Sequence, residues 1–133
     1  MDATFLAKVK SDYPEFKFCA GRRFSFRPPR TIVMGPDEEN DKMLLLHELG
    51  HALSGHKTFS NGAERLKMER EAWKKAREIS SIYNIVLDDS LIEKELNTYR
   101  DWLDKKSCCQ NCGLTCYQTP DGVYHCPRCE AFQ

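Results

Sequence analysis

The chain has no net formal charge, since 20 Lys and Arg balance 20 Asp and Glu over 133 residues. That balance removes any global electrostatic reason to expect nucleic acid or an anionic membrane as partner, although Arg22, Arg23, Arg27 and Arg30 make one stretch locally basic. No apolar run reaches the length of a bilayer span. Met1-Asp2-Ala3-Thr4-Phe5-Leu6 lacks both the basic start and the long apolar middle of a secretory signal. A cytoplasmic protein without a membrane partner is expected. Repeats and low-complexity segments are missing too. What remains is ordinary for a globular protein: 41% apolar and 30% charged residues, enough for one core and a small appendage.

Against this plain background, His47-Glu48-Leu49-Gly50-His51 stands out. Two imidazoles four residues apart on a helix point the same way and can grip one zinc ion. Glu48 beside them is placed to take a proton from water at that ion, the arrangement a hydrolytic zinc site needs. Met43, Leu44, Leu45, Leu46, Leu49, Ala52 and Leu53 form a wide apolar stripe, and Asp37, Glu38, Glu39 and Asp41 supply acidic residues for a first turn, so a mostly buried helix is predicted over about 37–54. Gly50 lets another backbone or a substrate strand come close, or serves packing alone; Gly55 offers a C-terminal stop.

A zinc site that does chemistry wants three protein ligands and an open position. His56 follows His51 by five residues, roughly 140° around a continuing helix, so it is expected at the rim or on the surface. The metzincin pattern also fails, with Ser54 and Lys57 at its required glycine and histidine. The better donors lie on the next helix, predicted over about 62–83 from Leu66, Trp73, Ala76, Ile79, Ile82 and Tyr83. It carries Glu64, Glu69, Glu71 and Glu78, and helix phase alone does not choose between Glu69 and Glu71.

The blocks Leu45 to Leu53 and Lys67-Met68-Glu69-Arg70-Glu71-Ala72-Trp73 resemble the gluzincin zinc peptidases, and more narrowly the small ImmA/IrrE-type metallopeptidases, over roughly residues 16–104. The resemblance implies His47 and His51 as paired zinc ligands, Glu48 as general base, and Glu71, followed by the small Ala72, as third ligand, with Glu69 the alternative. It also implies an intracellular regulatory protein substrate, such as a repressor. In larger gluzincins an acidic residue one turn past the third ligand orients a zinc histidine; Lys74 and Lys75 occupy that region here, so the orienting groups must come from elsewhere.

Alternation in Phe16-Lys17-Phe18, Arg22 to Arg27 and Thr31 to Met34 predicts two or three short strands, broken by Gly21 and Pro28-Pro29. Thr31 to Met34 is the candidate edge for a peptide substrate, as the resemblance implies, or part of a sheet that only packs on the helix. A third helix starts at Asp88 or Asp89, runs through Leu91, Ile92, Leu96, Tyr99, Trp102 and Leu103, and ends near Lys105-Lys106. Tyr99 is the candidate oxyanion donor, with Tyr83 and Arg100 as alternatives.

At the C-terminal end, Cys109-x-x-Cys112 and Cys126-x-x-Cys129 are separated by thirteen residues, a spacing suited to a four-cysteine zinc ribbon with a hairpin around Asp121-Gly122. Disulfides belong to oxidising compartments, so paired knuckles in a cytoplasmic chain favour metal. Cys19, Cys108 and Cys116 are left over, Cys108 being able to replace Cys109 in a shifted register. Between Lys105 and Gln133 three basic residues face two acidic ones, which favours a protein-docking or substrate-presenting ribbon over nucleic-acid binding. The expected architecture is α+β: a small antiparallel sheet on two zinc-site helices plus a third helix (1–104), followed by the ribbon (105–133). It would hold two zinc ions, one catalytic and one structural. The rivals are a non-catalytic zinc-binding interaction module closed by a fourth donor such as His56, and a nucleic-acid-associated ribbon factor.

Overall fold

The computed structural model describes residues 1–36, 39–59 and 62–129. In chain order these form α1 (Ala3–Asp12), β1 (Lys17–Ala20), β2 (Ser25–Arg27), β3 (Thr31–Met34), α2 (Asp41–Leu53), α3 (Gly62–Ser80), a 3-10 turn (Ser81–Tyr83), α4 (Asp89–Ser107), β4 (Tyr117–Gln118) and β5 (Tyr124–His125). The class is α+β. No described helix is long and apolar enough to cross a membrane. The chain packs as two units, one of Met1–Lys57 with Met68–Asp88, the other of Thr58–Lys67 with Asp89–Gln133.

The first unit is built on a three-stranded sheet of order β1-β3-β2. The expected antiparallel pairing holds between β2 and β3, whereas β1 runs parallel to β3. Thr31 to Met34 therefore does not offer the free edge expected of it. Its adjacent residues Ile32 and Val33 are both buried, so β3 is covered on both faces and paired on both sides, and the open edges fall to β1 and β2.

Helix α2 lies against β2 and β3. Its Leu45, Leu46 and Leu49 are fully buried, each contributing about 1.5–3 kcal/mol over an exposed side chain. Asp37 and Glu38, expected in its first turn, lie outside the described residues; Asp41 fills that role. The helix ends in a Schellman turn: the Gly55 amide donates to the Ala52 carbonyl at 3.1 Å, the His56 amide to the His51 carbonyl at 3.1 Å, and Gly55 takes the left-handed φ of 69° that the turn requires.

Gly50 settles how α3 approaches α2. A Cβ built on it would sit 2.2 Å from the Ala72 carbonyl oxygen, so the two backbones meet where neither helix carries bulk. It is a helix-packing glycine. Helix α1 was not among the expected elements; its signal is short, an Asp2 carboxylate that accepts from the Thr4 and Phe5 amides and two buried residues, Phe5 and Val9, one turn apart. Phe5 meets the Tyr83 ring edge to face at 5.6 Å, and the Tyr83 hydroxyl donates to Asp12 at 2.7 Å.

In the second unit Ile92 and Leu96 of α4 are buried, and the Arg65 guanidinium lies over the rings of Phe59, Tyr99 and Trp102 at 5.1, 4.9 and 5.6 Å. The C-terminal part folds into the expected hairpin of β4 and β5 around Cys109, Cys116, Tyr124 and Cys126, which form its small buried cluster.

Gly50→Ala drives a methyl group into the Ala72 carbonyl. It is expected to cost about 1–3 kcal/mol by urea denaturation, at the upper end because backbone rather than a flexible side chain must yield. An unshifted midpoint would mean that the two helices do not meet at this glycine.

Candidate metal centres

The i, i+4 spacing on α2 turns His47 and His51 to one side, with Glu48 beside them. All three are buried, and one ligand-capable atom of each lies within 4.8 Å of the others. Glu69 of α3 reaches the same place: its Oε2 is 2.9 Å from His47 Nε2 and 3.0 Å from His51 Nε2. One carboxylate oxygen is thus shared by two imidazoles.

Glu71, the third ligand implied by the family resemblance, is placed elsewhere, with its Oε2 2.8 Å from His56 Nε2. The reason lies in the helix contact. Residues two apart on a helix differ by about 200°, so Glu69 and Glu71 cannot serve the same partner. Ala72 faces α2 at Gly50, and Glu69, one turn before it, shares that face; Glu71 is rotated away by about 100° from Ala72.

His56 also differs from expectation. It is buried, 8% exposed, rather than at the surface. The helical angle does not apply to it because α2 stops before it; the Schellman turn folds the chain back and sets His56 Nδ1 2.9 Å from His51 Nδ1. A glycine four residues after His51, with another histidine directly behind, is the local signal that could have found this contact.

His47 is held by a different force. Its ring stacks on Trp73 at 4.1 Å and 25°, one turn past Glu69. Among the described residues, His47 Nδ1 is a buried side-chain polar atom with no hydrogen-bond partner.

Burial acts to raise the Glu69 carboxyl, but the hydrogen bonds from His47 and His51, together with their charge, outweigh it and hold the group well below the ordinary carboxylate range. Burial lowers His47, against the pull of its Glu69 hydrogen bond. An ionised carboxylate and a neutral imidazole are the forms in which both bind metal. The geometry fits as well. Zinc with donors at about 2.0–2.1 Å in a tetrahedral arrangement spaces them about 3.3 Å apart, close to the 2.9 and 3.0 Å observed.

The second group is Cys109, Cys112, Cys126 and Cys129, whose sulfurs lie within 4.8 Å of one another. Cys108, held in an isolated bridge with Thr115, is not among them, and Cys19 is exposed on β1. Cys112 Sγ and Cys126 Sγ are 3.6 Å apart, far beyond a disulfide bond of about 2.05 Å and close to the edge of about 3.8 Å for a tetrahedral zinc–thiolate site. The Cys129 amide donates to Cys126 Sγ at 3.3 Å, and Asn111 Nδ2 to Cys129 Sγ at 3.3 Å. That amide brings the Cys126 thiol down to about 7 against the effect of burial. At Cys112 a backbone hydrogen bond from Leu114 works downward, yet burial and the neighbouring cysteines push the thiol up to about 12. Cys126 therefore ionises before Cys112, and a divalent cation would favour the thiolate at both.

Of the oxyanion candidates, Tyr83 spends its hydroxyl on Asp12, and Arg100 donates to Glu93 and Asn97 on its own helix at 2.8 and 2.9 Å. Tyr99 belongs to the second unit, beneath the Arg65 guanidinium, whereas His47, Glu48, His51 and Glu69 all belong to the first. Among known proteins, no family model matches the chain, and no curated protein or solved structure matches it significantly.

In zinc-free protein, absorbance at 240 nm should rise by one thiolate per chain with a midpoint near pH 7, from Cys126 and ahead of Cys112. The sign follows from the lowered value. Cys126 stabilises the metal-free folded state fully above its ordinary value of 9.0, and this contribution is lost as pH falls through about 7. A first thiolate appearing only above pH 8.5 would contradict this arrangement.

Proposed function

We propose that this chain is a zinc-dependent peptidase of the gluzincin type, with His47, His51 and Glu69 as metal ligands and Glu48 as general base. The carrying observation is the Glu69 oxygen shared between two imidazole Nε2 atoms, beside a buried Glu48 within reach of both histidines. A zinc ion in this set supplies Lewis acidity toward water and toward a peptide carbonyl. The Glu48 carboxylate takes a proton from the attacking water and delivers it to the departing amine as the C–N bond breaks. His56 uses both ring nitrogens in hydrogen bonds to His51 and Glu71, which supports a site of three protein donors over one closed by a fourth histidine. By its resemblance to the ImmA/IrrE-type enzymes, the substrate is a regulatory protein. The four-cysteine ribbon holds a second, structural zinc and docks protein.

Purified protein should contain two zinc per chain. Glu69→Ala should retain one, and Glu48→Gln should retain both while cleavage of a peptide library drops by about 10²–10⁴-fold. A Glu48→Gln protein that cuts at the parental rate would remove the proposed base from the reaction.

A further inference from the structure

His51 and His47 present the same ring atom to Glu69, but only His51 has its far nitrogen engaged by another side chain: Nδ1 lies 2.9 Å from His56 Nδ1, and His56 Nε2 lies 2.8 Å from Glu71 Oε2. The order of donors in this chain is set from its outer end. An ionised carboxylate only accepts, so His56 Nε2–H donates to Glu71. In the neutral ring that proton leaves Nδ1 as an acceptor, and His51 must then carry its own proton on Nδ1 to donate to it. In that tautomer the remaining nitrogen of His51, Nε2, gives up the proton that it shares with Glu69 when a cation enters between them, and turns its lone pair to the ion.

We infer that His56 and Glu71 are positioning residues, which hold His51 in the tautomer and ring orientation that present Nε2 to zinc; this rests on the reading of His47, His51 and Glu69 as a zinc site. The Schellman turn makes the contact local and rigid, because the amide of His56 is itself bonded to the carbonyl of His51. The two residues do not contribute equally. His56 is buried, while the Glu71 side chain is 44% exposed and its hydrogen bond competes with water.

The test is zinc affinity in the full chain, measured by competition with a chromophoric chelator, with the ribbon site followed separately through the thiolate charge-transfer absorption of cobalt. His56→Leu should weaken zinc at the histidine site about 10–100-fold and leave the ribbon unchanged. Glu71→Ala, at a half-exposed position that should not disturb folding, should weaken it less. His56→Asn should recover most of the loss, because its amide oxygen stands where Nδ1 stood. Nitrogen-15 spectra of the zinc-loaded parent should show His56 protonated at Nε2 and bare at Nδ1, a preference that Glu71→Ala loses. Parental affinity in both Glu71→Ala and a folded His56→Leu protein would overturn the inference while leaving the zinc site intact. A parent that takes up only the ribbon zinc would overturn the site reading and this inference together.

Discussion

The first candidate metal centre depends on one close approach, that of the Ala72 carbonyl to Gly50. Helix α3 can come near enough for Glu69 to reach two imidazoles only because α2 has no side chain at that point. The same contact sets the phase of α3, bringing Glu69 and Trp73 to the histidines and turning Glu71 toward the loop after α2. Burying four ionisable side chains, His47, Glu48, His51 and Glu69, at one spot is unfavourable unless each finds a partner. The fully buried Leu45, Leu46 and Leu49, on the helix that carries the histidines, supply apolar burial that offsets this cost.

The two histidines are held by different forces. His47 rests on an indole face, which fixes the ring plane but does not select which nitrogen carries the proton. His51 is tied through its far nitrogen into a chain of hydrogen bonds that selects the tautomer as well. One imidazole is restrained by packing, the other by donor and acceptor order.

The cysteine group is built the opposite way. Its sulfurs come from tight turns and a two-residue-per-strand hairpin, and the buried cluster around it is largely the cysteines themselves with Tyr124. So little apolar surface leaves such a segment only marginally stable, and an ion at the four sulfurs would add the stability that burial supplies sparingly. Hydrogen bonds from Cys129 and Asn111 already direct positive character at the sulfurs.

Much of this was legible in local sequence. The i, i+4 histidines, the two C-x-x-C knuckles, the hairpin near Gly122 and the two later helices each follow from periodicity or turn chemistry within a few residues, although the helix expected over about 62–83 gives way to a 3-10 turn at Ser81–Tyr83. Strand order was not legible: Thr31 to Met34 is central because β1 pairs on its far side, and pairing partners are a property of the assembled sheet. The place of His56 was not legible either: a helical angle does not apply beyond Gly55, where the helix stops as expected and the chain folds back onto His51. Local sequence determined which side chains could bind a metal and how neighbours on one helix are spaced. Which carboxylate meets the histidines, and which residue restrains each ring, was decided only in three dimensions, because the relative phase of two helices is a property of their crossing and is carried by neither helix alone.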